Sequence, residues 1–176
     1  MSQWTHVAGL IRLDSMESVV KLPIKEKAGK MQEAIKKALG NTCDFESSLE
    51  ETQACNVPQG SEGSLQYRVY RNSDEDEHAL SWGYIAIYGD LRDFGKEDES
   101  EIVDWFQKSL ERLNKPEGNK EPEEMSNYEK AEYILSVFMI REAILAVRVE
   151  FSHRTLLIWN DEQKKVDSIR RRNKEA

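Results

Sequence analysis

Cysteine and histidine are scarce in this chain, and no apolar run is long. Two cysteines, Cys43 and Cys55, stand among 176 residues. They lie in a polar stretch without CxxC spacing and with no histidine beside them, which argues against a zinc site. A chain this long can build a core without a disulfide, so two free thiols in a reducing compartment are expected. The histidines His6, His78 and His153 are widely separated, and no nucleophile and base belong together in the sequence. A non-enzymatic protein without cofactor or metal is the expectation. No stretch approaches the roughly 20 apolar residues of a spanning helix. The opening MSQWTHVAGLIRL lacks the basic start of a signal peptide, so no membrane partner and a cytoplasmic location are expected.

Positive charge is in deficit overall. The net charge of -8 opposes indiscriminate binding to nucleic-acid backbone. Residues 164–176 run the other way, with six basic against two acidic side chains; this basic tail is expected to be helical or disordered. The acidic runs at 73–77, 96–104 and 117–124 are ordinarily solvated faces. Their functional reading is phosphate mimicry, centred on Asp74, Glu75, Asp76 and Glu77, by which an acidic protein occupies the basic groove of a nucleic-acid enzyme.

Clear periodicities stand against these absences. In residues 81–94, SWGYIAIYGDLRDF, Gly83, Ile85, Ile87, Gly89 and Leu91 alternate with Trp82, Tyr84, Ala86 and Tyr88, which predicts a central strand. Residues 4–13 alternate likewise and are predicted to pair with it. Pro23 opens a helix with the stripe Ile24, Ala28, Met31, Ile35 and Leu39. A long loop, 42–64, with a helical turn near 46–52, leads to a strand at 65–70, and the acidic turn 72–77 completes a hairpin. Capping boxes at Asp98/Glu101 and Ser126/Glu129 start two more helices. The first carries Ile102, Phe106, Leu110 and Leu113; the second carries Ala131, Ile134, Leu135 and Phe138. Alternation at 145–151 and 155–160 predicts two closing strands, with the change from helix to strand near Arg141.

This order predicts an α+β fold of the ferredoxin-like (βαββαβ) class: an antiparallel sheet with an inserted helix (115–138) and an extra C-terminal edge strand. Residues 1–163 form the single domain and 164–176 the basic tail. Both helices would cover the face carrying Val7, Ile11, Ile85, Ile87, Val147 and Val149. The open face would carry Trp4, His6, Arg12, Arg68, Tyr70, Trp82, Tyr84, Tyr88, Arg148 and Trp159. Rings among arginines suit base stacking and phosphate neutralisation, although the RNP sequence of RNA-recognition domains is absent. The plainer use of such a patch is self-association as a homodimer, or burial beneath the loop or inserted helix.

Gly60, Ser61, Glu62, Gly63 and Ser64 offer backbone amides to an anion, without the lysine or following helix of a P-loop; a flexible turn is the plainer reading. Asp90, Arg92 and Asp93 follow the central strand; carboxylates there could bind a metal or serve proton transfer, and the plainer reading is that Asp90 and Arg92 satisfy each other or a turn. The candidate binding residues are therefore Arg12, the 60–64 loop, Arg68, Tyr84, Tyr88, Asp90 and Arg92.

The opening WTHVAGLIRLD, the loop PQGSEGSLQ and the segment YGDLRDF together resemble an uncharacterised group of small proteins of tailed bacteriophages and prophages. The likeness spans the strand and helix skeleton, leaving out 115–138 and the tail. It implies no reaction. It implies a phage accessory protein in the cytoplasm of a bacterial host, where small non-catalytic inhibitors of host defence are common. The expected function is accordingly to bind and inhibit a host protein, most concretely a nucleic-acid-based defence enzyme, as anti-CRISPR proteins do. Binding or sequestering a nucleotide on the open face and GSEGS loop is the alternative, with a hydrolase or nuclease third.

Overall fold

The computed structural model describes residues 2–16, 19–42, 56–71, 82–94, 98–115 and 125–172. In chain order its elements are β1 (Trp4–Ser15), α1 (Ile24–Leu39), β2 (Gln66–Arg71), β3 (Trp82–Arg92), α2 (Glu99–Asn114), α3 (Asn127–Ser136), β4 (Phe138–Val149), β5 (His153–Asn160) and β6 (Lys165–Arg172). The strands form one antiparallel sheet in the order β2-β3-β1-β4-β5-β6, so the fold is α+β. The two strands with the clearest two-sided apolar character, β1 and β3, pair in the interior from Trp4↔Arg92 to Asp14↔Trp82.

One face of this sheet is the core. Val7, Ile11, Leu13, Ile85, Ile87, Leu91, Leu145, Val147 and Val149 alternate onto it and are buried. Met31, Ile35 and Leu39 of α1 and Ile102, Phe106, Leu110 and Leu113 of α2 pack against them. Each such aliphatic or aromatic side chain contributes about 1.5–3 kcal/mol on full burial, which is what holds two helices on a single face. The last carbonyls of α1, which lack helical partners, are met from neighbouring elements. Trp105 Nε1 donates to Leu39 O at 2.8 Å, and the Tyr67 hydroxyl donates to Gly40 O at 2.8 Å. Lys30 ties α3 to α1 by donating to Glu132 Oε1 at 2.7 Å and to the Tyr128 hydroxyl at 3.2 Å.

The sequence expectations need correction in several places. The third helix ends at Ser136, and Phe138 begins β4, where it is buried. Its alternation was hidden by a bulge: Arg12 pairs with Glu142 but Leu13 with Ile140, so Arg141 is an extra residue and two exposed side chains stand in succession. Asp98 makes no side-chain cap on α2, whereas the Ser126/Glu129 capping box is present in full. Residues 165–172 of the basic tail form β6, paired with β5 from Asn160↔Lys165 to His153↔Arg172. Trp159 is buried on the core side, because the alternation of β5 runs His153, Thr155, Leu157, Trp159 inward. Asp74, Glu75, Asp76 and Glu77, with Cys43, Cys55, His78, the turn near 46–52 and the side chain of Trp82, lie outside the described residues.

Candidate functional site on the open sheet face

The face opposite the core carries exposed and half-buried side chains, and strand register sorts it into rows. At one end Tyr70, Tyr84, Arg12 and Glu142 lie side by side. Next come Arg68, Ala86, Leu10, Ile144, Ile158 and Asp167. The following row is Gln66, Tyr88, Ala8, Ala146, Leu156 and Ile169. The last is Asp90, His6, Arg148, Arg154 and Arg171. The centre is thus apolar and both ends are charged.

Among the described residues, three tyrosines are exposed on this face, and Trp4 is half-buried at its end. Tyr70 and Tyr84 stack with centroids 4.8 Å apart and planes 17° from parallel, a cross-strand pair. They remain 39% and 37% exposed, and Tyr88 is 50% exposed. Tyr84 and Tyr88 are four residues apart on β3, roughly 13 Å along the strand. Arg68 occupies the row between them, and Arg12 lies beside Tyr84. Among the described residues, Arg12, Arg68, Arg148, Arg154 and Arg171 form no ion pair.

The remaining sequence candidates gather at the far end. Protonated His6 donates from Nδ1 to Asp90 Oδ1 at 2.6 Å and from Nε2 to Glu150 Oε1 at 3.3 Å. The bond to Asp90, helped by Glu150 and both negative charges, holds the imidazole above its ordinary pKa of 6.5 against partial desolvation. The two carboxylates meet opposite nitrogens of the ring and do not converge on one point. Among the described residues no group of three or more potential metal ligands is gathered. Asp90 and Arg92 do not satisfy each other: Arg92 pairs with Glu62, with Asp93 at 3.8 Å. His6 and His153 point to opposite faces of the sheet.

The GSEGS loop is clamped to the end of β3. Ser61 N–H donates to Arg92 O at 2.8 Å, Arg92 N–H to Glu62 O at 2.8 Å, and Gly60 N–H to Gly63 O at 2.9 Å. Ser61 Oγ also donates to Asp93 Oδ2 at 2.8 Å, and Ser64 is buried, accepting from Gln66 Nε2 at 2.9 Å. Amides of Gly60 and Ser61 that an anion would use are therefore occupied within the fold, and the loop serves to fix β3.

Two features were not legible in sequence. Ser152 Oγ donates to His153 Nδ1 at 2.7 Å, and His153 Nε2 donates to Glu99 Oε2 at 2.6 Å, where Arg170 also binds. Burial pushes the Glu99 carboxyl up, but the Thr155 hydroxyl, His153 and Arg170 outweigh it and hold it below the usual range. A serine, a histidine and a carboxylate in line can activate a nucleophile. Here the histidine and carboxylate are enclosed and the carboxylate is neutralised by arginine, so the chain acts as a pin. The second feature is a cavity of about 140 Å³ beneath α1, walled by Leu13, Met31, Ile35, Val69, Ile85 and Phe138. Its one buried carboxylate, Asp14, accepts from Arg141 Nε at 2.6 Å.

No family model and no curated protein matches this sequence. A chain from the crystal structure of the Csm3-Csm4 subcomplex in the type III-A CRISPR-Cas interference complex is similar over 85% of this chain and 82% of its own length, at 13% identity and a TM-score of 0.34. That likeness is too slight to assign this chain a fold or a role. Among the described residues no helix is long and apolar enough to cross a membrane.

Proposed function

We propose that this protein is a non-enzymatic binder of single-stranded nucleic acid, held along β3 on the open sheet face. The observation that carries the reading is the alternation of exposed rings with guanidinium groups that form no ion pair among the described residues: Tyr88, then Arg68, then the Tyr70–Tyr84 stack with Arg12 beside it. Bases stack on tyrosine rings for about 1–3 kcal/mol each whatever their sequence, and arginines between platforms meet the intervening phosphates. Platforms roughly 13 Å apart along a strand lie farther apart than one base reaches, which favours a strand over a mononucleotide. The overall negative charge keeps duplex and other polyanions from sticking elsewhere.

The order β2-β3-β1-β4, with α1 and α2 on one face, follows the ferredoxin-like pattern, and we read the fold as that pattern extended by β5 and β6. The setting is the one the sequence resemblance implies, a phage accessory protein inside a bacterial cell. There, sequestering a strand that a defence enzyme needs would inhibit that enzyme without touching it.

The test is fluorescence anisotropy with labelled oligouridylate and oligothymidylate, beside a mononucleotide, at low and high salt. Tyr84→Ala, Tyr88→Ala and Arg68→Ala, checked for folding by circular dichroism, are each expected to weaken strand binding about 5- to 150-fold. Unchanged affinity in all three variants, no binding at low salt, or equal affinity for the mononucleotide would refute the reading. So would a homodimer that buries these tyrosines.

A further inference from the structure

β6 ends the sheet, and no other described strand lies beyond it. The Val166 N–H points to that outer edge, because Gln107 Oε1 of α2 accepts it at 2.5 Å. Strand alternation turns the N–H and C=O of Ser168, Arg170 and Arg172 the same way. All three residues are exposed. Gln107 therefore closes one end of the edge, and among the described residues no strand pairs with the other end.

Exposed edges are commonly blunted by charge, and three consecutive arginines, residues 170–172, oppose pairing with the same strand of a second copy. The same charges attract a strand of opposite sign. Arg170 is tied down to Glu99, whereas Arg171 and Arg172 form no ion pair among the described residues. Ile169 lies beside Arg171 on the open face and is 52% exposed.

We propose that β6 accepts an acidic, extended peptide segment of another protein as an additional strand. Main-chain hydrogen bonds to Ser168, Arg170 and Arg172 supply the register, carboxylates meet Arg171 and Arg172, and an apolar side chain covers Ile169. This surface is separate from the tyrosine track on β3, and neither reading depends on the other.

A labelled, end-capped peptide containing Glu-Glu-Thr-Val, which in antiparallel pairing sets its glutamates opposite Arg172 and Arg171 and its valine opposite Ile169, is the probe, titrated against the full chain. Ser168→Pro removes one outward N–H without cutting the β5–β6 ladder, a substitution that edge strands tolerate. It is expected to weaken peptide binding about tenfold, the scale of one lost hydrogen bond, with the melting temperature unchanged. Arg171→Ala with Arg172→Ala is expected to weaken it comparably and to flatten its salt dependence. A backbone N-methylated peptide of identical charge should not bind, which keeps the test decisive if the proline variant folds poorly. Equal binding of the methylated peptide, or loss with the arginine variants but none with Ser168→Pro in a folded protein, would reduce the edge to a charged patch and overturn strand addition. Self-association of the protein alone that Ser168→Pro abolishes would assign the edge to a second copy instead. A preference of this edge for an oligonucleotide over the peptide would also overturn the proposal.

Discussion

His153 Nε2 and Glu99 Oε2 lie 2.6 Å apart, with each side chain only 3% exposed. The pair joins the first residue of α2 to the first residue of β5, and Arg170 of β6 closes on the same oxygen. Glu99→Ala leaves the buried His153 Nε2–H without an acceptor and takes the counter-charge from Arg170, so it is expected to cost about 1–3 kcal/mol in urea unfolding. Because the folded carboxyl is held below its ordinary 4.5, its contribution is complete above that pH and is lost as pH falls through the lowered folded value. Stability measured against pH should therefore decline in that acid window for the native chain and decline less for Glu99→Gln. Parallel curves would contradict the assignment.

Two glycines make a contrasting pair. Gly63 has φ +79°, and a Cβ there would lie 1.9 Å from Asp90 O; Gly29, inside α1, would place its Cβ in open space. Gly63→Ala is expected to destabilise by about 2 kcal/mol or more through positive φ and displacement of the loop from β3. Gly29→Ala is expected to stabilise by about 1 kcal/mol. Thermal melts of the two variants would show shifts of opposite sign.

His6 offers a check on the charged end of the open face. Its imidazole is held above 6.5, chiefly by Asp90, so this interaction favours the fold below pH 6.5 and fades as pH rises through the folded value. A proton NMR titration should place its midpoint above the ordinary value, and Asp90→Asn should move it down. A midpoint unmoved by that substitution would show that the contact is absent in solution.

The capping box on α3 is a local test. Ser126 Oγ accepts the Glu129 N–H at 3.3 Å and Ser126 N–H donates to Glu129 Oε2 at 2.8 Å. Ser126→Ala is expected to cost about 1 kcal/mol. Hydrogen exchange should quicken across α3 while the protection of α2 stays as it was.

Much of the architecture could be read from residue spacing. The stripes of α1 and α2, the alternation of β1 and β3 and the opposed faces of Ile85 and Tyr84 need only a period of two or of 3.6 to be recognised. Phe138 and Arg141 defeated that reading, since a bulge shifts the period by one residue and no glycine or proline announces it. β6 was missed for a different reason: its exposed arginines carry no alternation to detect, as most of its residues face water on both sides. In the candidate site, Tyr84, Tyr88, Arg12 and Arg68 followed from parity. Arg154 and Arg171 joined the row of Arg148 only once β5 and β6 were paired.

Parity along each strand determined which side of the sheet is apolar and which carries rings and arginines, because side-chain direction in an extended chain depends on local backbone geometry alone. The tertiary structure decided which distant residues share a row, that Glu62 rather than Asp90 answers Arg92, and that Glu99, His153 and Arg170 close on one another. Those are matters of register and of burial. Neither is encoded in spacing, since both depend on which strands lie side by side after the helices have covered the core.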